Sequence, residues 1–162
     1  MNKPAQAQII QTPNTLRLKV GGRFGGIDPA AIAKAEAALK GLSDQFAQWL
    51  DDELVKLDAA RAAIHAEGWN ARTAEALYLR AHDLKGLGTT YEYPIVTRIG
   101  ASLCRLIDDP ERRLKAPMAL IDGHIDAIKA AVRDKIQTDD HPVGRVLVTE
   151  LEAGVEKYVA SL

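Results

Sequence analysis

The sequence predicts an all-α protein, an antiparallel four-helix bundle with flanking N- and C-terminal helices. Three observations carry this. From residue 28 onward apolar residues recur at three-, four- and seven-residue steps, the period of a helix with one buried stripe. The breaks between these stretches hold proline, glycine, aspartate and asparagine, the residues that start and stop helices. No strand-and-turn series and no fixed-period repeat competes with this pattern.

Residues 1–27 differ from the rest, with Pro4, Pro13 and the run "GGRFGG" from Gly21 to Gly26. They read as a flexible tail that partly docks on the body, with a short extended piece at "LRLKV", Leu16 to Val20. Residues 28–162 form the helical domain, with the bundle over about 43–138. Asp28-Pro29 is an N-cap followed by proline at the first helical position, and this short helix is expected to end near Gly41. Ser43 then caps a second helix whose stripe is Phe46, Leu50, Leu54, Leu57 and Ile64, and Gly68 stops it. Asn70 caps a third, with Leu77, Ala81, Leu84, Gly88 and Tyr91 on one face. Pro94 opens a fourth, carrying Ile95, Ile99, Leu103 and Leu106. Residues 108–116 read as a charged, solvated loop. Pro117 starts a fifth helix with Met118, Ile121, Ile125, Ile128, Val132 and Ile136. "TDDHP", Thr138 to Pro142, bends the chain into a last helix bearing Leu147, Leu151, Val155, Tyr158 and Leu162.

The whole chain narrows the function. Its 162 residues suit one domain, and 47% hydrophobic with 27% charged residues is an ordinary globular balance. A net charge of -1 argues against broad attraction to nucleic acid or to a membrane surface. The single cysteine, Cys104, rules out an intramolecular disulfide and an all-thiolate zinc site, and reads as a small core residue. His65, His124 and His141 are scattered and do not make the paired Glu-x-x-His pattern of a di-iron bundle, so no metal site is expected; His141 reads as a helix-start residue. Trp49 and Trp69 read as packing anchors. The start has no signal-peptide pattern and no run approaches a membrane span, so a cytoplasmic protein is expected.

The third helix is the informative one. At about 100° per residue, with Leu77 at zero, the buried seam falls within about 40° and His82 lies about 140° away, on the solvent side. Tyr78, Lys85, Gly86 and Thr89 surround it, between about 80° and 180°. Two glycines cost a helix roughly 2 kcal/mol relative to alanines, so each invites an explanation. Gly88 faces the core, where a missing side chain lets a neighbouring helix approach. Gly86 lies one turn beyond His82 on the outer face and clears the surface there. Lys85-Gly86 also matches an ordinary helix C-terminus. A neutral imidazole is a competent nucleophile toward phosphorus, and a nearby ammonium suits an anion carried on the ring. An exposed histidine, a cation and cleared space therefore fit a phosphoryl acceptor. They fit hydrolysis poorly, because no carboxylate–histidine–nucleophile set surrounds them.

"AHDLKG", Ala81 to Gly86, resembles the signature of histidine-containing phosphotransfer (HPt) domains of two-component phosphorelays: a small residue, the phosphorylated histidine, any residue, an apolar residue, lysine and glycine. The likeness continues through "LGTTYEYPIVTRIGASLCRLID", Leu87 to Asp108, and covers roughly residues 43–138. The resemblance implies that His82 bears the phosphoryl group on the ring nitrogen farther from the backbone, that Lys85 steadies the phosphoryl oxygens and that Gly86 admits the partner. Tyr78 and Thr89 are candidate partner contacts. The implied partners are response-regulator receiver domains or a hybrid histidine kinase, the implied state is a monomer, and Mg²⁺ belongs to the partner receiver. Such a protein has no cofactor of its own and is a carrier rather than an enzyme. No nucleotide-binding loop of the GxxxxGK[ST] kind is present. Two other functions fit the same helices: a helical adaptor in which His82 is incidental, and a chemotaxis-type module fed in trans by a kinase.

Overall fold

The computed structural model describes residues 29–162. The expected tail over 1–27, with its "LRLKV" piece, lies outside the described residues. Six helices follow in order: α1 Pro29–Glu67, α2 Ala71–Leu87, α3 Pro94–Ile107, α4 Pro110–Arg113, α5 Met118–Arg133 and α6 Pro142–Ala160. The chain is all-α, with no strand among the described residues. No helix among them is long and apolar enough to cross a membrane. The chain divides into two compact units at Ala38, and the core belongs to the second, residues 39–162.

Several expected boundaries change, among them the end of the fifth helix, which stops at Arg133 before Ile136. The helix expected to stop near Gly41 does not stop: α1 runs through Gly41 and Ser43 to Glu67. A glycine inside a helix costs only about 1 kcal/mol, too little to end a long helix by itself. The residues taken as a loop over 108–116 contain the one-turn α4. Asp109 accepts hydrogen bonds from the Glu111 and Arg112 amides, and Pro110 sits at the first helical position. The same backbone bonds, that of Arg112 first, hold the Asp109 carboxyl below its ordinary range.

α3 is the most apolar helix. It buries Ile95, Ile99, Leu103 and Ile107 and packs against α2, α5 and α6. α1 adds Leu50, Leu57 and Ile64 to the same core, seven residues apart. Ion pairs tie α1 to α5 outside it: Arg61 with Asp122 and Asp126, and Lys129 with Asp58. Cys104 is buried, which pushes its thiol pKa up, against a smaller opposing effect of Lys85. His141 caps α6, its ring accepting from the Val143 amide. Trp69 is anchored as expected, its Nε1 donating to the Arg113 carbonyl at 3.1 Å. Trp49 is not: it stays 44% exposed, in a cluster with Phe46 and Tyr91.

His124 has a place the sequence did not suggest. It is fully buried between α5 and α3, with Nδ1 2.7 Å from the Leu120 carbonyl and Nε2 2.9 Å from the Ser102 hydroxyl. A carbonyl only accepts, so Nδ1 carries the proton and Nε2 accepts from Ser102. Burial pushes its pKa below the ordinary histidine value, outweighing the bond to Leu120.

Candidate functional site

α2 begins with a capping box. Asn70 accepts from the Arg72 and Thr73 amides, and the Thr73 hydroxyl accepts from the Asn70 amide in return. This fixes the phase of the helix, and Ala74, Leu77, Ala81 and Leu84 then all turn inward and are buried. With that seam inside, His82 must face out. It is exposed, as are Lys85, Gly86 and Thr89, while Tyr78 is half-buried. The imidazole has no hydrogen-bond partner among the described residues, and its ring neighbour is Tyr78, at 6.2 Å between centroids. Asp83 is taken up by Arg80 at 3.2 Å. Lys85 makes no ion pair among the described residues and stands in the last turn of α2, where the helix dipole favours a cation.

The two glycines separate cleanly. A Cβ at Gly86 would meet nothing within 4 Å, so no internal contact requires glycine there. A Cβ at Gly88 would stand 2.6 Å from the Thr97 amide nitrogen and 3.0 Å from the Tyr93 carbonyl oxygen. Gly88 is buried, as expected, but it does not lie within the helix. α2 ends at Leu87, and Gly88 is its C-cap, donating to the Leu84 carbonyl. The chain keeps a helical turn through Tyr91, whose amide reaches the Leu87 carbonyl, and Glu92 then takes a left-handed φ of 66°. The helix expected to continue to Tyr91 thus gives way to a turn at Gly88, where Thr97 and Tyr93 lie too close to the backbone to admit a side chain. Thr89 is engaged in that turn: its amide donates to the Thr97 hydroxyl at 2.8 Å, and the two hydroxyls are 3.0 Å apart.

Two residues beside this face carry no motif. Gly100 of α3 lies against the α2 backbone at Ala81 and Lys85. Arg113 of α4, expected in solvent, is only 5% exposed. Its guanidinium lies 4.7 Å from the centre of the Tyr78 ring, pairs with Glu75, and donates to the carbonyls of Ile107 at 2.6 Å and Asp108 at 3.1 Å. The Asp109-Pro110 pair is the same start signal as Asp28-Pro29 and marks the short helix; nothing local marks the burial of Arg113.

Among the described residues no group of three or more His, Cys, Asp or Glu side chains is placed to hold a metal ion. What the face offers is an unpartnered imidazole, a free ammonium one turn away and a cleared patch beside both. Comparison with protein-family models, with curated proteins and with solved structures gives no match.

Proposed function

We propose that this chain is a histidine phosphotransfer protein, an antiparallel helical bundle that relays a phosphoryl group between His82 and aspartates of receiver domains. One observation carries the proposal: His82 stands exposed on a fixed helix face, without a hydrogen-bond partner among the described residues, beside Lys85 and the bare surface at Gly86. In the transfer, a lone pair of the neutral imidazole attacks the phosphorus of the receiver's aspartyl phosphate. The N–P bond forms as the O–P bond breaks, and the aspartate leaves as carboxylate. Such a displacement depends on in-line positioning and on neutralising charge over the phosphoryl oxygens. Lys85 supplies a cation for those oxygens, and Gly86 leaves room for the receiver to approach. The receiver supplies its own aspartate and Mg²⁺, so the chain acts as a carrier. No carboxylate among the described residues meets the His82 ring, which fits this role better than that of a general base, a group that needs an orienting partner.

The test is transfer from receiver domains of the source organism, each labelled on its aspartate. Acid-labile, base-stable label on the wild type and none on His82→Gln is the expected result. Equal labelling of the two removes His82 as the acceptor, and no labelling by any receiver or kinase removes the function.

A further inference from the structure

Arg113 is a costly residue to bury. A guanidinium out of water needs hydrogen bonds and a counter-charge on nearly every side. Here they are provided: two carbonyls at the end of α3, the Glu75 carboxylate on α2, and the face of the Tyr78 ring, whose centre lies 4.7 Å from the guanidinium carbon. The arrangement joins α4 to the outer face of α2 one turn before His82. Its own carbonyl is held in turn by the Trp69 indole. The guanidinium therefore cannot slide without breaking several bonds at once. Tyr78 is clamped on one side by this group, and its ring lies next to the imidazole of His82, tilted by 43°. His82 has no other partner to set its ring angle among the described residues.

We infer that Arg113 is a positioning residue that acts through Tyr78: by holding the Tyr78 ring, it limits the rotation of the His82 imidazole and keeps the ring presented outward. A planar, five-donor fork that stacks on an aromatic face is what the task requires, and a lysine cannot replace it. The consequence for phosphoryl transfer rests on the function proposed above. The effect on the imidazole does not.

The experiment uses the full chain and two readouts. The first is the set of four histidine imidazole Cε1–Hε1 signals by NMR, with circular dichroism as the check of folding. In Arg113→Lys the His82 signal is expected to move, while those of the exposed His65 and His141 stay in place. Tyr78→Leu moves the same signal, and the double variant matches Tyr78→Leu alone, because the two residues act in series. Tyr78→Phe keeps the ring and leaves the signal near wild type. A folded Arg113→Lys with an unmoved His82 signal overturns the inference, and so does a double variant whose shift is the sum of the singles. Should Arg113→Lys not fold, Glu75→Ala decides in its place, since it removes the counter-charge from an exposed helix position; an unmoved signal there also overturns the inference. The second readout is phosphorylation of His82 by phosphoramidate, a small donor that needs no docking partner. The rate is expected to fall about three- to tenfold in Arg113→Lys, the size of a loss of orientation rather than of chemistry. A wild type that takes no phosphate from phosphoramidate or from receivers sinks the proposed function, while the NMR result still decides the role of Arg113.

Discussion

A methyl group built on Gly100 would stand 2.9 Å from the amide nitrogen of Lys85 and 3.2 Å from the carbonyl oxygen of Ala81. α3 therefore touches the bare backbone of the turn of α2 that carries His82. Rigid backing of this kind is what a residue needs if its ring is to meet another protein at a fixed angle.

Gly100→Ala is expected to destabilise the fold by about 1–2 kcal/mol. Overpacking directly against backbone falls in the upper part of about 1–3 kcal/mol, and the better helix propensity of alanine returns up to about 1. The midpoint of urea unfolding measures it, and an unchanged midpoint would show that α3 can move aside freely.

Gly86→Ala is expected to do the opposite to stability. With nothing within 4 Å of the new Cβ, the helix gains about 0.5–1 kcal/mol. On the proposed function, phosphoryl transfer from a receiver should slow all the same, because the methyl would stand where that partner is proposed to approach. A variant that is both more stable and equally fast would remove the proposed reason for glycine at this position.

Leu84→Ala opens a cavity beneath the site. Leu84 is almost fully buried, and its truncation is expected to cost about 2–5 kcal/mol. Thermal or chemical denaturation checks this, and a negligible loss would require a different rotation of α2.

Lys85→Ala is expected to leave stability nearly unchanged, since Lys85 has no ion-pair partner among the described residues and loses only a modest dipole interaction. Transfer to His82 should slow on the order of tenfold without stopping, the loss of one charge-assisted contact to the phosphoryl oxygens. Single-turnover kinetics with a labelled receiver measure it.

His124 gives the fold a pH dependence that can be assigned. Burial lowers its pKa in the folded state, so between that value and the ordinary 6.5 the unfolded chain binds more protons. Stability is therefore full above about pH 6.5 and falls as the pH drops below it. Urea midpoints at about pH 7.5 and 5.5 should differ in the wild type, and the difference should shrink in His124→Gln. An equal drop in both proteins would place the titrating group elsewhere.

The helical periods, the cap at Asn70, the helix start at Pro94, the bend before Pro142 and the outward direction of His82 were legible along the chain. Each is decided by neighbours within four residues, the range over which helix phase and caps act. The end of α2 was less so. The apolar spacing runs on to Tyr91, but the turn begins at Gly88, and the need for glycine there comes from Thr97 and Tyr93, residues of the next segment. Gly41 misled in the other direction: a glycine can end a helix, but α1 passes through it to Glu67.

The sequence by itself determined that the chain is helical and which face of α2 holds His82, Lys85 and Gly86, because a buried stripe at helical spacing leaves the opposite side no choice. Only the tertiary structure decided what stands behind and beside that face. Gly100 meets Lys85, Arg113 covers Tyr78 and His124 reaches Ser102 across separations of 15, 35 and 22 positions. No local pattern encodes such pairs. They exist because three helices and a one-turn segment pack closely enough that a missing methyl, a planar cation and a neutral imidazole each find the one place where their size and charge are satisfied.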